Sequence, residues 1–482
     1  MDSDTLPWEN DDEMGRASTD LLGNYTVEGC AGDFGAWNDP DPYILITHRC
    51  PEIGHDISVI KRKLRIPIKE IKYLPNITTI EAFVETTRLD LECEIYLART
   101  PGIWRHGDRS PIYIYPNDPN KESAWPNGFG ELTTRGMIQQ FNLGKFLGKR
   151  YIDELQFLSP HYRSEEIFVI STDTNRTIQS ATANMMGMYG GRGRCGIDYP
   201  NLVEWPAQFV PIPIHSFEFM KDPMGYARHH CKRTLDLFAL LEQTPEYKQL
   251  KRSSAALLSK ISEYAGSPIT LNNLWGFIET VNIERTHGLR SPDWVRQILP
   301  KALEVDMRLT DLQIGLRMAS FKNMNFQIEI PRMIGGSFLW EIIERMEKKA
   351  NFNRVNNRFG SDPYSDTKLE GKECEWLERL RYYAYSAHDM SISALFSTLQ
   401  FDYTDFDRDG LPGYAACVLI ELWRNVERGY YVLYRRDNVD NLINLTPFIR
   451  GCNGQECSLE LFKQRSLIFK PLPNQETVRY LI

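Results

Sequence analysis

The run Arg105-His106-Gly107-Asp108-Arg109-Ser110-Pro111 brackets one histidine with two guanidiniums inside five residues. Guanidiniums present forked N–H donors that match phosphate oxygens. A histidine between two cations has its pKa pushed down, leaving a neutral imidazole able to attack phosphorus. Gly107 is read as letting backbone approach a ligand closely. A second set is Ser171-Thr172-Asp173-Thr174-Asn175-Arg176-Thr177, where Arg176 falls in the first turn of an expected helix and adds to its anion-favouring N-terminus. The third is Tyr385-Ser386-Ala387-His388-Asp389, in which Asp389 could also serve simply as a helix N-cap. The second and third sets sit where a predicted strand gives way to a helix, the edge at which open α/β sheets hold their ligands. Together the three sets describe one anion site.

The elements that must position these residues can be read from periodicity. Residues 131–155 read as a helix with Met137, Ile138, Phe141, Phe146, Leu147 and Ile152 at helical spacing. Residues 166–171 read as a buried strand, and Asp173 or Thr174 caps a helix that runs to about Tyr189. Pro206, Pro211 and Pro213 mark a link, and residues 230–350 are mostly helical in pattern. A strand at 381–386, a helix at 389–399 and two strands at 416–424 and 429–436 complete an α/β core interrupted by a helical block. Pro101 and Gly102 are expected to interrupt any central strand leading into Arg105.

Composition bounds the class. The 482 residues are 42% hydrophobic and 25% charged, which excludes collagen, coiled-coil and wholly disordered chains. At about 150 residues per domain, the length fits two to three domains, or one core with an insertion. A net charge of −8, from 56 basic and 64 acidic residues, argues against general nucleic-acid binding. No apolar run is long enough to span a membrane. Residues 1–20 carry seven acids and one base and do not read as a signal peptide. The basic stretch Lys61, Arg62, Lys63, Arg65, Lys69 and Lys72 reads as a solvated face.

Other signals are weaker. Cys93 and Arg99 have the C-x5-R spacing of cysteine phosphatases, but 94–98 reads as a strand and lacks a glycine cradle. Gly191-Arg192-Gly193-Arg194-Cys195-Gly196 has dinucleotide-fingerprint spacing but follows a helix, not a strand. His215, His229, His230 and His287 show no metal-site spacing and are read as structural. The cysteine count of nine is odd; Cys452 and Cys457 flank the turn signal Asn453-Gly454 and form a disulfide candidate in an oxidising compartment. Asn24, Asn76, Asn175 and Asn444 begin sequons, and Asn444 is the best glycosylation candidate.

The Arg-His-Gly-Asp-Arg-Ser-Pro run and Ser386-Ala387-His388-Asp389 resemble the two signatures of the histidine acid phosphatase family, prostatic and lysosomal enzymes in particular. The likeness extends through 121–130, 171–177, Pro211-Ile212-Pro213-Ile214-His215 and 452–462, covering roughly residues 103–470. It implies an α/β fold, phosphoglycerate mutase-like, with a central mixed sheet flanked by helices. Core segments would be 103–212 and 346–470, with an inserted helical cap at 213–345 and a tail at 471–482. Residues 1–102 fall outside the pattern and are read as an extension, disordered in part, or as the product of a mis-joined or alternative first exon.

The implied activity is hydrolysis of phosphate monoesters at acid pH, with no metal or other cofactor. His106 would become a phosphohistidine, Arg105, Arg109, Arg176 and His388 would hold phosphoryl oxygens, and Asp389 would protonate the leaving alcohol. That role calls for a raised Asp389 pKa and an imidazolium at His388. Small phosphomonoesters are the expected substrates, with phosphoproteins or lysophospholipids as larger ones and nucleic acid excluded. The competing readings are a catalytically impaired phosphate- or phospholipid-binding relative and a phytase-like enzyme. The resemblance further implies a secreted or lysosomal location and a homodimer through 211–215. Cys231 and Cys417 match family disulfide positions whose partners are not cysteines here.

Overall fold

The computed structural model describes residues 43–48, 62–67, 71–73, 80–82, 95–206, 208–216, 222, 232–316, 318–358, 379–401, 412–425, 429–436, 442–452 and 454–471. The chain divides into two compact units, Met1–Tyr96 and Leu97–Ile482. In the first, β1 (Tyr43–His48) pairs antiparallel with β2 (Arg62–Pro67), and β3 (Ile71–Tyr73) pairs antiparallel with β4 (Ile80–Ala82). Cys30, Cys50, Cys93, Cys231, Asn24, Asn76, His229, His230 and the tail from 472 onward lie outside the described residues.

The larger unit is built on a sheet of eight described strands: β5 (Ile95–Arg105), β6 (Ile167–Ser171), β7 (His215–Ser216), β8 (Tyr382–Ala387), β9 (Cys417–Asn425), β10 (Gly429–Arg436), β11 (Ile443–Asn444) and β12 (Cys457–Ser458). The order is β11-β10-β9-β5-β8-β6-β7, with β12 also on β10. Strands β5, β8, β6 and β7 are parallel, whereas β9, β10 and β11 form antiparallel pairs, so the sheet is mixed. Strand β8 is buried along its whole length. It reads as a central strand because both its faces are covered, which is why its sequence does not alternate.

Strand β5 overturns the expected interruption. It runs unbroken through Pro101 and Gly102, and pairs with β8 from Thr100 to Arg105. Along a strand, successive N–H groups point to opposite sides. Arg105 N–H donates to Ala416 O, and His106 N–H donates to Ala387 O at the end of β8. Pro101 shares parity with Arg105, so its missing donor faces away from the β8 ladder. Gly102 has a local reason too: a Cβ there would lie 3.2 Å from Tyr382 Oη.

Helix α1 (Thr134–Gly148) starts at Thr133, whose side chain accepts from Gly136 N–H, and continues as a π-helical turn, Lys149–Glu154. The expected apolar face is wrong in part. Met137, Ile138 and Phe141 are exposed, and the buried face is Gly136, Gln140, Leu143, Gly144, Leu147 and Gly148. Glycines are inside because α2 (Asn175–Tyr189) packs backbone to backbone: a Cβ on Gly144 would clash with Asn184 O, and one on Gly187 with Phe141 O. Helix α2 keeps its expected C-terminus at Tyr189.

Two hydrophobic cores result. One joins β8 and β9 to α8 (Gly336–Arg358), α9 (Asp389–Leu399) and α10 (Leu459–Ser466) through residues such as Phe338, Tyr385, Leu395 and Phe462. The other is made chiefly by α3 (Lys232–Leu241), α4 (Pro245–Ala265), α5 (Leu274–Thr286), α6 (Asp293–Gln313) and α7 (Phe326–Ile334). Burial of large apolar side chains drives both. Cys452 and Cys457 form a disulfide with Cα atoms 5.4 Å apart, closing the loop before α10.

Candidate active site

The three sequence motifs converge at the C-terminal ends of β5, β6 and β8, which lie side by side. Arg105 is the last residue of β5, and the segment after it is held by hydrogen bonds on every side. Arg105 O accepts from Gln140 Nε2 at 2.7 Å, Gly107 N–H donates to Ser180 Oγ at 3.1 Å, and Asp108 N–H donates to Gln139 Oε1 at 2.8 Å. His106 O accepts from Ala415 N–H, and Asp108 O from Thr133 N–H. Ser386 Oγ ties the three motifs together: it accepts from Trp104 Nε1 and donates to Thr177 O. Such saturation fixes the loop before any ligand arrives.

Gly107 has a different reason from the one expected. Its α-carbon faces helix α1, where a Cβ would collide with Gly136 backbone. The glycine permits contact between loop and helix, not between loop and ligand.

His106 is 2% exposed, and its Nδ1 lies 2.8 Å from Gly107 O. A carbonyl can only accept, so Nδ1 carries the hydrogen and Nε2 keeps its lone pair. Burial first, then the charges of Arg105, His388, Arg109 and Arg176, hold its pKa well below the ordinary histidine value. The imidazole is neutral, as the sequence predicts.

Arg105 and Arg109 are 8% and 4% exposed. Arg105 Nη1 donates to Pro412 O at 2.7 Å, its Nη2 pairs with Asp389 Oδ2 at 2.8 Å, and its guanidinium lies 4.2 Å from the Tyr414 ring centroid. Arg109 Nη2 pairs with Glu279 Oε1 of α5, and Nη1 donates to Ser110 O. Arg176 occupies the first turn of α2, and His388 is the N-cap residue of α9. His388 Nε2 is 3.0 Å from Thr172 Oγ1, and the His106 and His388 ring centroids are 5.4 Å apart.

Two ionisation expectations are corrected. Burial lowers the His388 pKa, and Arg176 lowers it further, outweighing Asp389, so the protein's own groups favour neutral imidazole rather than imidazolium. Burial raises Asp389, but Arg105, His388, the Met390 N–H and Arg109 outweigh it and hold the carboxyl below its ordinary value. The guanidiniums act on both: they repel a further cation at His388, where burial is the larger cause, and favour an anion at Asp389 against burial.

The sequence missed several neighbours. Glu279 lies 170 residues from Arg109 in the chain. Tyr414 stacks on Arg105 from a loop in which Ala415 adopts φ 57°, a left-handed conformation unusual for alanine. His287, read as structural, bonds through Nε2 to Asp108 Oδ2 at 2.7 Å and packs on Trp125. Burial, and then the charges of Glu279 and Asp389, push the Asp306 carboxyl of α6 up to about 6. None is adjacent to a motif, so no local signal could have found them. Among the described residues no cluster of three or more histidines, cysteines or acids is placed to hold a metal.

Residues 101–435 match the model of the histidine phosphatase superfamily (branch 2). The chain belongs to that family. It is 31% identical over 340 residues to a lysosomal acid phosphatase of Homo sapiens, covering 70% of each chain. It is 32% identical over 332 residues to a testicular acid phosphatase of Homo sapiens, covering 67% of each. Among solved structures, the apo form of a Hafnia alvei phytase aligns with TM-score 0.53 at 16% identity, covering 79% of this chain and 99% of that one. A Citrobacter braakii phytase aligns with TM-score 0.54 at 14% identity, with the same coverage. At such identities these two report the shared fold. The chain is a phosphatase, and phosphate monoesters fit its family.

Proposed function

We propose that the chain is an acid phosphatase that works through phosphohistidine at His106. The observation that carries this reading is the 2.8 Å contact of His106 Nδ1 with Gly107 O, which leaves Nε2 bare in a neutral ring. In the first step Nε2 attacks phosphorus, an N–P bond forms and the ester P–O bond breaks. The electron pair leaves with the alcohol oxygen, which takes a proton from Asp389. In the second step water attacks phosphorus, returns a proton to Asp389 and breaks the N–P bond, releasing phosphate. Arg105, Arg109, Arg176 and His388 hold the phosphoryl oxygens, over which the transition-state charge is spread.

Asp389 must be protonated for the first step, against the pull of Arg105. A phosphoryl dianion supplies the counterweight: it occupies the guanidiniums and raises neighbouring carboxyl and imidazole pKa values. Proton uptake at Asp389 and His388 is therefore coupled to substrate binding, which places turnover on the acid side.

The helical segment 213–345 acts as the cap and contributes Glu279 to the site. A lysosomal or secreted location follows from resemblance to the named lysosomal enzymes, and no described helix is long and apolar enough to cross a membrane. An N-linked glycan on Asn444 belongs to the same reading and would require its Nδ2 bonds to Gln455 to give way. A homodimer through 211–215 is supported by β7, whose two residues are exposed at the end of the sheet order. Phosphoproteins and lysophospholipids are the larger substrates proposed.

Hydrolysis of p-nitrophenyl phosphate at about pH 5 tests the function. The wild type should turn over, and His106→Ala should lose about 10⁴-fold or more in kcat while binding phosphate. A folded wild type that binds phosphate without hydrolysing the ester would make the chain a binding relative instead.

A further inference from the structure

We propose that Glu279 sets substrate choice, selecting phosphate esters whose alcohol carries no second anion over polyphosphorylated ones. The proposal rests on the reading of Arg105 and Arg109 as phosphoryl ligands and names the substrate class of that same site.

Glu279 projects from α5, an element of the helical segment, onto the two guanidiniums. Its Oε1 pairs with Arg109 Nη2 and lies 4.0 Å from Arg105 Nη2. Its side chain is 18% exposed, against 4% for Arg109 and 10% for Arg105, so the carboxylate is the outer partner of the pair. Asp389 Oδ2 sits on the same Arg105 Nη2. Asp306 of α6 feels both Glu279 and Asp389. Two carboxylates on two different elements, Glu279 of α5 and Asp389 of α9, thus border the arginines that grip the phosphoryl group.

A phosphoryl group on Arg105 and Arg109 directs its ester oxygen toward Asp389, so the alcohol lies beside this acidic border. A second phosphate on that alcohol would meet Glu279 in a half-buried setting, where charge repulsion is weakly screened. A neutral or amine-bearing alcohol meets no such repulsion. Discrimination by a placed repulsive group is a general route to specificity. A merely structural Glu279, orienting Arg109, would affect all phosphate esters alike.

The test compares kcat/KM for p-nitrophenyl phosphate and fructose 1,6-bisphosphate in wild type, Glu279→Gln and Asp306→Asn. At about pH 5 the bisphosphate-to-monophosphate ratio should rise about tenfold in Glu279→Gln and stay unchanged in Asp306→Asn, whose carboxyl, raised to about 6, is already mostly neutral there. Added salt should shrink the wild-type discrimination. Calorimetric binding of phenylphosphonate and methylenebisphosphonate reads the same ratio as Kd without turnover, so a variant that loses catalysis still reports. A ratio unchanged in folded Glu279→Gln overturns the proposal. Binding without hydrolysis in the wild type would overturn the phosphatase reading alone, since the Kd ratio still judges Glu279.

Discussion

Two buried clusters pair arginine with carboxylate, and they are built for opposite ends. At Glu421 of β9, Arg150 donates through Nε and Nη2 at 2.7 and 2.8 Å, Tyr151 Oη at 2.8 Å and Trp423 Nε1 at 3.2 Å. Both carboxylate oxygens are saturated, and Glu421 is fully buried. At the active site, Arg105 and Arg109 keep Nε atoms that are buried without a hydrogen-bond acceptor. Their carboxylate partners, Glu279 and Asp389, are both partly exposed. A closed cluster locks β9 to the π-helical turn after α1. An open one holds donors ready for an anion from outside, at a cost in local stability that the saturated backbone around Arg105 offsets.

The largest contrast should come from Glu421→Ala. Removing the acid leaves the buried Tyr151 Oη and Trp423 Nε1 without their acceptor and breaks the ion pair with Arg150, and should cost about 3–5 kcal/mol of folding stability in chemical denaturation. The folded fraction should retain its kcat, because Glu421 touches none of the reacting groups. Loss of activity in excess of loss of fold would merge the two clusters into one unit.

Asp389→Ala attacks the open cluster and should do the reverse. Stability should fall less than in Glu421→Ala, since Arg105 keeps Pro412 O, the Tyr414 ring and Glu279 beside it. Turnover of alkyl phosphates should fall by about 10²-fold or more, and p-nitrophenyl phosphate should suffer less because its leaving group needs less proton transfer. Equal losses on both substrates would remove Asp389 from the role of general acid.

A third buried acidic site sharpens the comparison, for it has no arginine. Asp118 and Glu284 are both buried and face each other. Burial and the neighbouring Asp118 raise Glu284 from 4.5 to about 8. The folded state therefore holds a proton that the unfolded chain releases near 4.5, so this group's stabilisation is full below that pH and is lost as pH rises through about 8. Melting temperature should decline across that interval, and Glu284→Gln should flatten the decline. A slope unchanged by the substitution would assign it to other groups.

How much was legible in the sequence follows from what is local. The motifs at 105–111, 171–177 and 385–389 could be read because each carries its chemistry within a few residues at a strand end. Strand β10 and helix α9 were legible from unbroken apolar patterns and match their expected bounds. The face of α1 was not, because backbone-to-backbone packing rewards glycine where periodicity expects large apolar residues. Pro101 misled because its missing donor falls on the β9 side and leaves the pairing of β5 with β8 intact. Glu279, Tyr414 and His287 come from elements far away in the chain, and their partnership with the arginine motif exists only once the helical segment folds against the strand ends. The ionisation of Asp389 and His388 was misjudged because sequence names the charges but not their separations.

The central claim is that His106 Nε2 is the nucleophile. Rapid mixing with a phosphate monoester, quenching in alkali where phosphohistidine survives, and peptide mass spectrometry test it most directly. The account predicts a phosphoryl adduct on His106 that forms within one turnover and accumulates further in Asp389→Ala when p-nitrophenyl phosphate is the donor. Turnover with no adduct, or an adduct on any other residue, would contradict it.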